Sequence, residues 1–490
     1  MSSIPFDNSF ARLPDTFFSR QAPVPVASPR LIARNADLAR QLGIDPDWLA
    51  SREGVEVVAG NAVPEGAEPL ASVYAGHQFG SYNPQLGDGR AILLGEVVDA
   101  NGDRYDIQLK GAGRTPYSRG GDGRSPLGPV LREYIISEAM HVLGIPTTRA
   151  LAAVSTGEQV VREEFLPGAV LARVASSHIR IGTFQYFAAH GDTESLKLLT
   201  RHVLVRHYPE ELTQDNQALA LLRAVMERQA SLVAGWQLLG FIHGVMNTDN
   251  MLLSGETIDY GPCAFMDDFK ADQVFSSIDH GGRYAYRNQP GIAHWNLACL
   301  AQCLLPLLHD DKDEAVAIAQ DQVDRFQQMF LDAHGVGMAR KLGLSELTAD
   351  DTALVEDLFH TMGEHGLDFT LVFRRLADLA DENSKAQVGE LFEIPDALLP
   401  WLARWRSRIG QEKILPEERQ SHMYRANPVF IPRNHLVQEA IETATREDDL
   451  TLFHSLNEVL RNPFEYRPEL RRFATPPRPE QEVRQTFCGT

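Results

Sequence analysis

Three polar residues that lie close together in the chain could bind a metal ion and accept a proton. In HGVMNTDNM, Asp249 and Asn250 are adjacent, and Asp259 follows Asn250 by nine residues. Amide and carboxylate oxygens at this spacing suit a hard divalent cation that bridges phosphates. Asp249 could also accept a proton from an attacking hydroxyl, while His243 is expected to brace the loop. Asn and Asp are common in ordinary turns, so a purely structural role stays open.

Two glycine-rich segments that contain arginine precede this cluster. Gly87, Gly89 and Arg90 lie in LGDGRA, and GDGR recurs at 121–124 before a predicted helix. Glycine lets the backbone approach a phosphate closely, and a helix N-terminus favours anions. Hairpin turns use the same residue types, so each segment alone is also compatible with a turn.

Lys110 ends the alternating run DIQLK, which predicts that it lies at the end of a strand. A lysine in that position often only protects a strand edge from aggregation. In kinases, however, a glutamate on a helix pairs with a strand lysine and directs it to phosphate. Glu133 and Glu138 on the predicted helix 131–143 are both candidates, and their spacing does not separate them.

Arg173 and Arg180 stand among apolar residues in GAVLARVASSHIRIGTF. A planar guanidinium in such a setting either pairs with a buried acid or binds an anion such as phosphate. Few acids lie near them in the sequence. We therefore expect these arginines, with Arg90 and Lys110, to form a local positive pocket.

The elements that must position these residues change in character along the chain. Residues 1–65 predict an irregular arm with one helix. After it come short β-prone runs, and Asn101-Gly102 indicates a hairpin between the first two. The predicted strands are 91–98, 105–110, 158–165 and the second of two short strands at 257–261. The predicted helices are 31–44, 131–143, 218–240, 295–308, 313–335 and 449–460.

Composition limits the partners of this protein. The 490 residues include 46 Lys and Arg against 66 Asp and Glu, a formal net charge of −20, and no uninterrupted apolar run approaches the length of a membrane span. This charge disfavours nucleic acid and anionic membranes. The four cysteines have no CxxC spacing, and the N-terminus lacks a secretory signal pattern, so a cytoplasmic location is expected.

In their order along the chain, these motifs resemble the selenoprotein O family, protein-kinase-like enzymes first classed as pseudokinases. The resemblance covers nearly the whole chain. It rests on YAGHQFGSYNPQLGDGRA, IQLKGAGRTPYSRGGDGRSPL, LREYIISEAMHVLGIPTTRAL, HGVMNTDNM, DYGPCAFMDDF and the terminal TFCGT.

The resemblance implies an α+β, protein-kinase-like bilobal fold with an N-terminal arm and a large helical C-terminal extension. The expected parts are an arm (1–65), an N-lobe with nucleotide-binding loops (66–165), a C-lobe with the metal and catalytic loop (166–290), and the extension and tail (291–490).

The implied activity is the transfer of AMP from ATP to Ser, Thr or Tyr hydroxyls of proteins, with ATP bound in the reverse of its kinase orientation. Kinases place their catalytic Asp two residues after the loop histidine, where this chain has Val245. Valine cannot accept a proton, so a base would have to come from elsewhere in the loop. The alternatives are γ-phosphoryl transfer to a protein or a small molecule, and a catalytically inactive nucleotide-binding scaffold, which Val245 favours.

The family also implies a role for individual residues. Asp249 would be the base, Asn250 and Asp259 would hold Mg²⁺ or Mn²⁺, and Glu133 would support Lys110. The nucleotide would contact Gly87, Gly89, Arg90, Lys110, Asp122, Gly123, Arg173, Arg180 and Asp259. A disulfide between Cys263 and Cys488 is a further hypothesis from the resemblance, whereas Cys299 and Cys303 are expected to be packing residues.

Overall fold

Most strands precede residue 176, and most helices follow it, within the residues 4–381 and 383–487 that this computed structural model describes. The strands are β1 (Phe18–Arg20), β2 (Arg30–Arg34), β3 (Leu70–Ser72), β4 (Gly76–Gln78), β5 (Ser81–Asn83), β6 (Ala91–Val98), β7 (Arg104–Lys110), β8 (Ser125–Pro126), β9 (Arg149–Val161), β10 (Phe165–Ala175), β11 (Phe241–Ile242) and β12 (Ala264–Phe265). The helices are α1 (Ala36–Gln41), α2 (Pro46–Ala50), α3 (Arg52–Val58), α4 (Leu127–Val142), α5 (Ile181–Ala189), α6 (Thr193–His207), α7 (Gln217–Leu239), α8 (Gln289–Leu308), α9 (Lys312–Asp324), α10 (Phe326–Leu342), α11 (Thr352–His365), α12 (Phe369–Asp378), α13 (Leu399–Ile409), α14 (Pro416–Ala426), α15 (Asn434–Glu447), α16 (Thr451–Leu460) and α17 (Arg471–Ala474).

One antiparallel sheet dominates the first part of the chain. Its strand order is β1-β3-β6-β7-β10-β9-β2, and β8 pairs with β10. The strands predicted at 91–98 and 105–110, with a hairpin between them, are confirmed by β6 and β7. The strand predicted over 158–165 is wrong in part, because this segment holds the end of β9, a turn and the first residue of β10.

The N-terminal residues are more regular than the irregular arm that the sequence predicted. β1 and β2 form the two edges of the sheet, and α1 to α3 pack on it. The helix predicted over 31–44 is wrong at its start, since Arg30–Arg34 is a strand paired with β9 and α1 begins only at Ala36. Asn35 fixes that start, because its side chain accepts a hydrogen bond from the Leu38 N–H at 3.1 Å.

The helix predictions hold better where clear end signals stand in the sequence. α7 confirms the helix predicted over 218–240 and ends at Gly240, whose φ of 69° lies in the left-handed region that favours glycine. α4 begins at Leu127, one turn before its predicted start. The single helix predicted over 313–335 is wrong, because α9 and α10 are separated at Arg325.

The side of α4 away from the sheet is covered by C-terminal helices. One apolar core joins Leu131 of α4 to Leu436 of α15 and Phe453 of α16, and also to Leu171 of β10. The rings of Tyr134 and Phe453 meet edge to face, with centroids 5.5 Å apart. α4 is therefore held between the sheet and the C-terminal helices, which fixes the direction of the side chains it carries. The boundaries proposed at 65, 165 and 290 stay predictions.

One segment, Tyr286–Leu308, is long and apolar enough to cross a membrane by length and composition alone, with a mean hydropathy of 1.4. It contains α8, and 50% of its apolar window is buried inside the fold. Two polar side chains of α8 point inward. Gln289 accepts a hydrogen bond from the His243 N–H at 3.0 Å, and Asn296 donates to the carbonyl of Met246 at 2.9 Å. In this fold α8 is a core helix that supports the loop 243–250.

Candidate functional site

Lys110 and Glu133 form a direct ion pair between the sheet and α4. The Nζ of Lys110, at the end of β7, lies 2.6 Å from Oε2 of Glu133, and both side chains are buried. Glu138, the alternative partner, instead binds the guanidinium of Arg149 through contacts of 2.8 and 2.9 Å. The geometry thus decides between the two glutamates that spacing could not separate.

Asp259 is the point at which three cations meet. Its Oδ1 lies 2.9 Å from Nζ of Lys110 and 2.7 Å from Nη1 of Arg173. Its Oδ2 lies 2.9 Å from Nη1 of Arg180. Burial acts to raise the pKa of Asp259, but the three cations outweigh burial and hold this pKa well below its usual value. The carboxylate is therefore ionised at neutral pH.

The backbone of Asp259 has a φ of 61°, in the left-handed region that is unusual for a residue with a side chain. The sequence predicted that Asp259 lies on a short strand, and this is wrong, because the nearby segments form only isolated bridges at Leu252 and Thr257. Such a conformation persists where surrounding contacts enforce it, and it is concentrated at functional sites. Here the three ion pairs of Asp259 supply those contacts.

Arg173 and Arg180 are each 2% exposed, and both are engaged by acids. Arg173 lies 3.0 Å from Oε1 of Glu133, and its Nε donates at 2.8 Å to Gln108, which is directly opposite on β7. Arg180 lies 3.8 Å from Asp88 in addition to its contact with the cluster. The sequence shows few acids near these arginines, but the fold brings acids to them from distant segments.

His243 braces the start of the loop, as the sequence predicted. Its Nε2 lies 2.8 Å from the carbonyl oxygen of Ile258, and its ring stacks on Trp236 with centroids 5.4 Å apart. At the other end of the loop, the side-chain amide of Asn250 donates to the carbonyl of Val245 at 2.9 Å. The loop is therefore fixed at both ends by its own side chains.

Asp249 is the carboxylate of this loop, and one of its oxygens is not engaged. Oδ2 accepts a hydrogen bond from Gln78 at 3.1 Å, while Oδ1 is buried and has no hydrogen-bond partner in the described part of the chain. Burial raises the pKa of Asp249 to about 6, against the opposing influence of Arg180. A positioned carboxylate whose pKa lies near neutrality has the properties of a general base.

The β4–β5 hairpin covers Asp249, and sequence reasoning assigned it no role. The backbone N–H of His77 donates to the hydroxyl of Thr248 at 2.7 Å. A Cβ at Gly76 would come within 2.6 Å of Oδ1 of Asp249, so only glycine leaves space beside this oxygen. The available signal was the string YAGHQFG (74–80), which contributed to the resemblance but holds few residue types associated with catalysis.

The first glycine-rich segment leads into β6 and packs on the loop after β7. Gly87 has a φ of 81°, and a Cβ there would come within 2.3 Å of the Tyr117 ring. Gly89 lies against the backbone of the same tyrosine, where a Cβ would come within 2.9 Å of its carbonyl oxygen. The N–H of Gly111 donates to the carbonyl of Arg90 at 2.7 Å. These contacts bring the segment beside the end of β7.

Asp122 and Gly123 lie in the loop between β7 and β8. Asp122 forms an ion pair with Arg162 at 2.9 Å. Gly123 has a φ of 68°, and its carbonyl accepts a hydrogen bond from the N–H of Gly113 at 3.0 Å. Among the residues described, no hydrogen bond or ion pair joins these two residues to Asp259, and their contact with a nucleotide stays a prediction.

Asn250 and Asp259 carry the amide and carboxylate oxygens that a hard divalent cation prefers, but both oxygens of Asp259 also contact the three basic side chains, and metal binding here stays a prediction. The donation of the Asn250 amide nitrogen to Val245 leaves its oxygen available as a ligand, and the unengaged Oδ1 of Asp249 belongs to the same loop. Within 4–381 and 383–487, no group of three or more His, Cys, Asp or Glu side chains could hold a metal alone. Mg²⁺ commonly takes one or two protein oxygens and completes its shell with phosphate and water. This donor set therefore suits a cation that arrives with a nucleotide.

The cysteines are placed differently from one another. Cys263 is buried just before β12, and its carbonyl accepts a hydrogen bond from Arg132 at 3.4 Å. Cys488 lies outside the described residues, so the Cys263–Cys488 disulfide stays a prediction. Cys299 and Cys303 are buried on α8, in agreement with a packing role.

The chain is similar to known proteins along almost its whole length. A family model described as protein adenylyltransferase SelO matches residues 1–461. A protein nucleotidyltransferase YdiU of Rhodopseudomonas palustris (strain BisB5) is 58% identical over 487 residues, which are 99% of each chain. The protein of the same description from Bradyrhizobium sp. (strain BTAi1 / ATCC BAA-1182) is 58% identical over 486 residues, again 99% of each chain. That of Rhizobium rhizogenes (strain K84 / ATCC BAA-868) is 57% identical over 488 residues, 99% of this chain and 97% of the relative.

Proposed function

Because the chain belongs to the SelO family of protein adenylyltransferases, we propose that it transfers AMP from ATP to Ser, Thr or Tyr hydroxyls of proteins. The observation that carries this proposal is the unengaged Oδ1 of Asp249 beside a cluster of cations. Nη1 of Arg180 donates both to the backbone carbonyl of Asp249 at 2.7 Å and to Asp259 at 2.9 Å. One arginine thus joins the candidate base to the candidate phosphate site.

The transfer exchanges one phosphorus–oxygen bond for another and moves one proton. The acceptor hydroxyl oxygen bonds to the α-phosphorus, the bond from the α-phosphorus to the oxygen bridging to the β-phosphorus breaks, and pyrophosphate leaves. The hydroxyl proton passes to Oδ1 of Asp249. Val245 stands where kinases carry this base and cannot accept a proton, so Asp249 is the carboxylate of the loop 243–250 that remains.

ATP is inverted in this proposal, with its γ-phosphate at the buried end of the site. The side chains of Lys110, Arg173 and Arg180 are 10%, 2% and 3% exposed, so the phosphate they bind is the one deepest in the cleft. The proposal then requires the α-phosphate to come within reach of Oδ1 of Asp249. Preorganised cations of this kind usually supply the largest part of the stabilisation of a charged transition state. The remaining nucleotide contacts are assigned to Gly87, Gly89, Arg90, Asp122, Gly123 and Asp259.

Asn250 and Asp259 would hold Mg²⁺ or Mn²⁺ in this proposal. When bound, the cation offsets the negative charge of the phosphates. Asp259 would hold the cation with a carboxylate that also contacts Lys110, Arg173 and Arg180. Glu133 remains with Lys110 and keeps its ammonium group in position for phosphate.

We also propose a protein-kinase-like bilobal arrangement and a cytoplasmic location. The first is supported by the ion pair between the strand residue Lys110 and the helix residue Glu133, and by the sheet that precedes the helical part of the chain. In kinases the same kind of pair must be in place for phosphoryl transfer.

Two alternatives have specific support. The Lys110–Glu133 pair favours a kinase that transfers the γ-phosphoryl group, and Val245 favours an inactive scaffold. Incubation with ATP labelled at the α- or the γ-phosphate separates the three. We expect the label of the α-phosphate to appear on protein. This labelling should be lost in Asp259→Ala and retained in the control variant Asp215→Ala, which changes an exposed loop residue. Label from the γ-position alone would establish the kinase, and label from neither position the scaffold.

A further inference from the structure

An aromatic surface with one arginine lies next to the loop that carries Asp249. We define this docking surface as Phe79 and Tyr82 of the β4–β5 hairpin, Arg283 of the segment before α8, and Trp295 of α8. The N–H of Phe79 donates at 3.1 Å to the side-chain oxygen of Asn247, two residues before Asp249. The hydroxyl of Tyr284, the neighbour of Arg283, donates to the same oxygen at 2.6 Å. The docking surface is therefore connected to the loop of the candidate base from two sides.

Arg283 has no acidic partner for its guanidinium. Within the described residues, no carboxylate oxygen lies within 4.0 Å of it, and its buried Nε has no hydrogen-bond partner. The nearest acid in sequence, Asp279, accepts hydrogen bonds only from the backbone N–H groups of Arg283 and Tyr284, at 2.9 and 2.8 Å. The guanidinium instead lies 4.8 Å from the ring centroid of Trp295. By contrast, the buried Arg173 is paired with two carboxylates.

The tip of the hairpin lies beside this guanidinium. Gly80 has a φ of 83° and is exposed, and a Cβ at this position would lie in van der Waals contact with Arg283, 3.6 Å from its Cζ. Tyr82, on the second strand of the hairpin, is 41% exposed. Arg283 is itself only half-buried, so part of its side chain is accessible to an incoming carboxylate beside the hairpin tip.

A groove of about 590 Å³ continues from the docking surface. It is lined by His77 and Tyr82 of the hairpin, by Ala188 of α5 and by Pro306 of α8. A cavity of this size is in the range that binds a small ligand or a few residues of an extended chain. Cys299 also lines the groove, but burial raises the pKa of its thiol to about 11, so it is protonated at neutral pH and unsuited to nucleophilic chemistry. The groove has the features of a binding site.

We propose that the docking surface binds the protein substrate and that Arg283 selects acceptor hydroxyls flanked by an Asp or Glu carboxylate, an inference that rests on the adenylyl transfer proposed above. Trp, Tyr and Arg dominate the binding energy of protein interfaces. A partly buried arginine can form a bidentate, charge-assisted contact with a carboxylate. The whole chain has a net charge of −20, which opposes an acidic substrate overall, so the proposed preference depends on the local positive charge of Arg283.

The test compares acceptor sites between charge variants of the full chain. Arg287→Glu is the matched control, because Arg287 is four residues away, 62% exposed and paired with the exposed Asp272. Proteins of a bacterial extract are incubated with each enzyme and an alkyne-tagged ATP, and the modified hydroxyls are mapped by mass spectrometry. We expect acidic residues around the sites of the wild type and of Arg287→Glu. In Arg283→Glu, labelling of those sites falls roughly tenfold, and sites flanked by Lys or Arg appear.

The outcomes separate this inference from the proposed function. Wild-type sites without acidic neighbours, or an unchanged set of sites in Arg283→Glu, would overturn the role of Arg283 and leave adenylyl transfer intact. No labelled site with the wild type would overturn the proposed function itself. If Arg283→Glu does not fold, judged by its thermal unfolding midpoint, Arg283→Gln decides, because it removes the charge without reversing it and is expected to lose the acidic preference.

Discussion

Replacement of Asp249 by Asn tests the burial of this carboxylate and its catalytic role in one variant. Asp249 is 7% exposed, and burial raises its pKa from the ordinary 3.8 to about 6. This difference corresponds to about 3 kcal/mol, which is the cost of keeping the carboxylate ionised in the folded chain well above pH 6. Asparagine carries no charge. Asp249→Asn is therefore expected to raise the free energy of unfolding of the protein, free of metal and nucleotide, by up to about 3 kcal/mol at pH 8.

The expected gain in the free energy of unfolding of Asp249→Asn depends on pH. A carboxyl group whose pKa is higher in the folded state contributes stability that is fully present below the unfolded pKa, here about 3.8, and is lost as the pH rises through about 6. The wild type therefore loses stability relative to the variant across this interval. About half of the difference expected at pH 8 should be present at pH 5.

Urea unfolding at pH 5 and pH 8, in the presence of a chelator, measures both values. Asp215→Asn is the control, because Asp215 is an exposed loop residue and no gain is expected there. A loss of stability in Asp249→Asn, or the same gain at both pH values, would refute the burial argument. In the α-label assay the same variant should lose at least about 100-fold in AMP transfer, as expected for a general base. Full activity in Asp249→Asn would remove Asp249 from that role.

Three further perturbations follow from the structure. Glu133→Gln should raise the KM for ATP about tenfold or more, because Lys110 loses its partner at 2.6 Å, and steady-state kinetics with an unchanged KM would contradict this role. Lys341→Met should raise the free energy of unfolding, because burial lowers the pKa of Lys341 from 10.5 to about 7. This gain in the free energy of unfolding should be at most about 5 kcal/mol at pH 7 and about 2 kcal/mol at pH 9, because folded wild-type Lys341 is no longer protonated at pH 9. A gain that is the same at both pH values in urea titrations would contradict the burial argument. Phe453→Ala should lower the free energy of unfolding, measured in urea, by about 3–5 kcal/mol. It should also weaken ATP binding, because α4 is held less firmly. An unchanged affinity for ATP would show that α4 is held without this packing.

The sequence predicts the strand end that carries Lys110 and the helix that carries its partner, because both have clear local periodicity. It cannot choose between Glu133 and Glu138, although the choice is simple in the structure. Five residues turn a helix by about 140° beyond a full turn, so the two side chains lie on different faces of α4. Which face meets β7 is decided by packing on the sheet and on α15 and α16, and that packing comes from residues about 300 positions away.

Other features are invisible to local patterns for the same reason. The pairing that turns Arg30–Arg34 into an edge strand is with residues 152–155 of β9, and nothing between positions 31 and 44 encodes that partner. Asp259, whose φ is left-handed, forms ion pairs with residues as far back as Lys110, and no local pattern indicates these partners. The hairpin that covers Asp249 is recognisable as a string of residues, but its contact with Thr248 joins segments 171 positions apart.

The charges of the cluster explain how a protein with a net charge of −20 can hold a triphosphate. The sequence predicts a positive pocket, but in the structure Glu133 and Asp259 offset two of the charges of Lys110, Arg173 and Arg180. Asp88, 3.8 Å from Arg180, offsets most of the third. Without these acids, three buried cations would carry a desolvation cost of several kcal/mol each. The acids thus hold the cations in place, and a divalent cation bound at Asp259 would compete for its carboxylate and make the basic side chains more available to phosphate. In the proposed function a metal requirement would arise from this charge balance, because binding of the cation and binding of the triphosphate would each make the other more favourable.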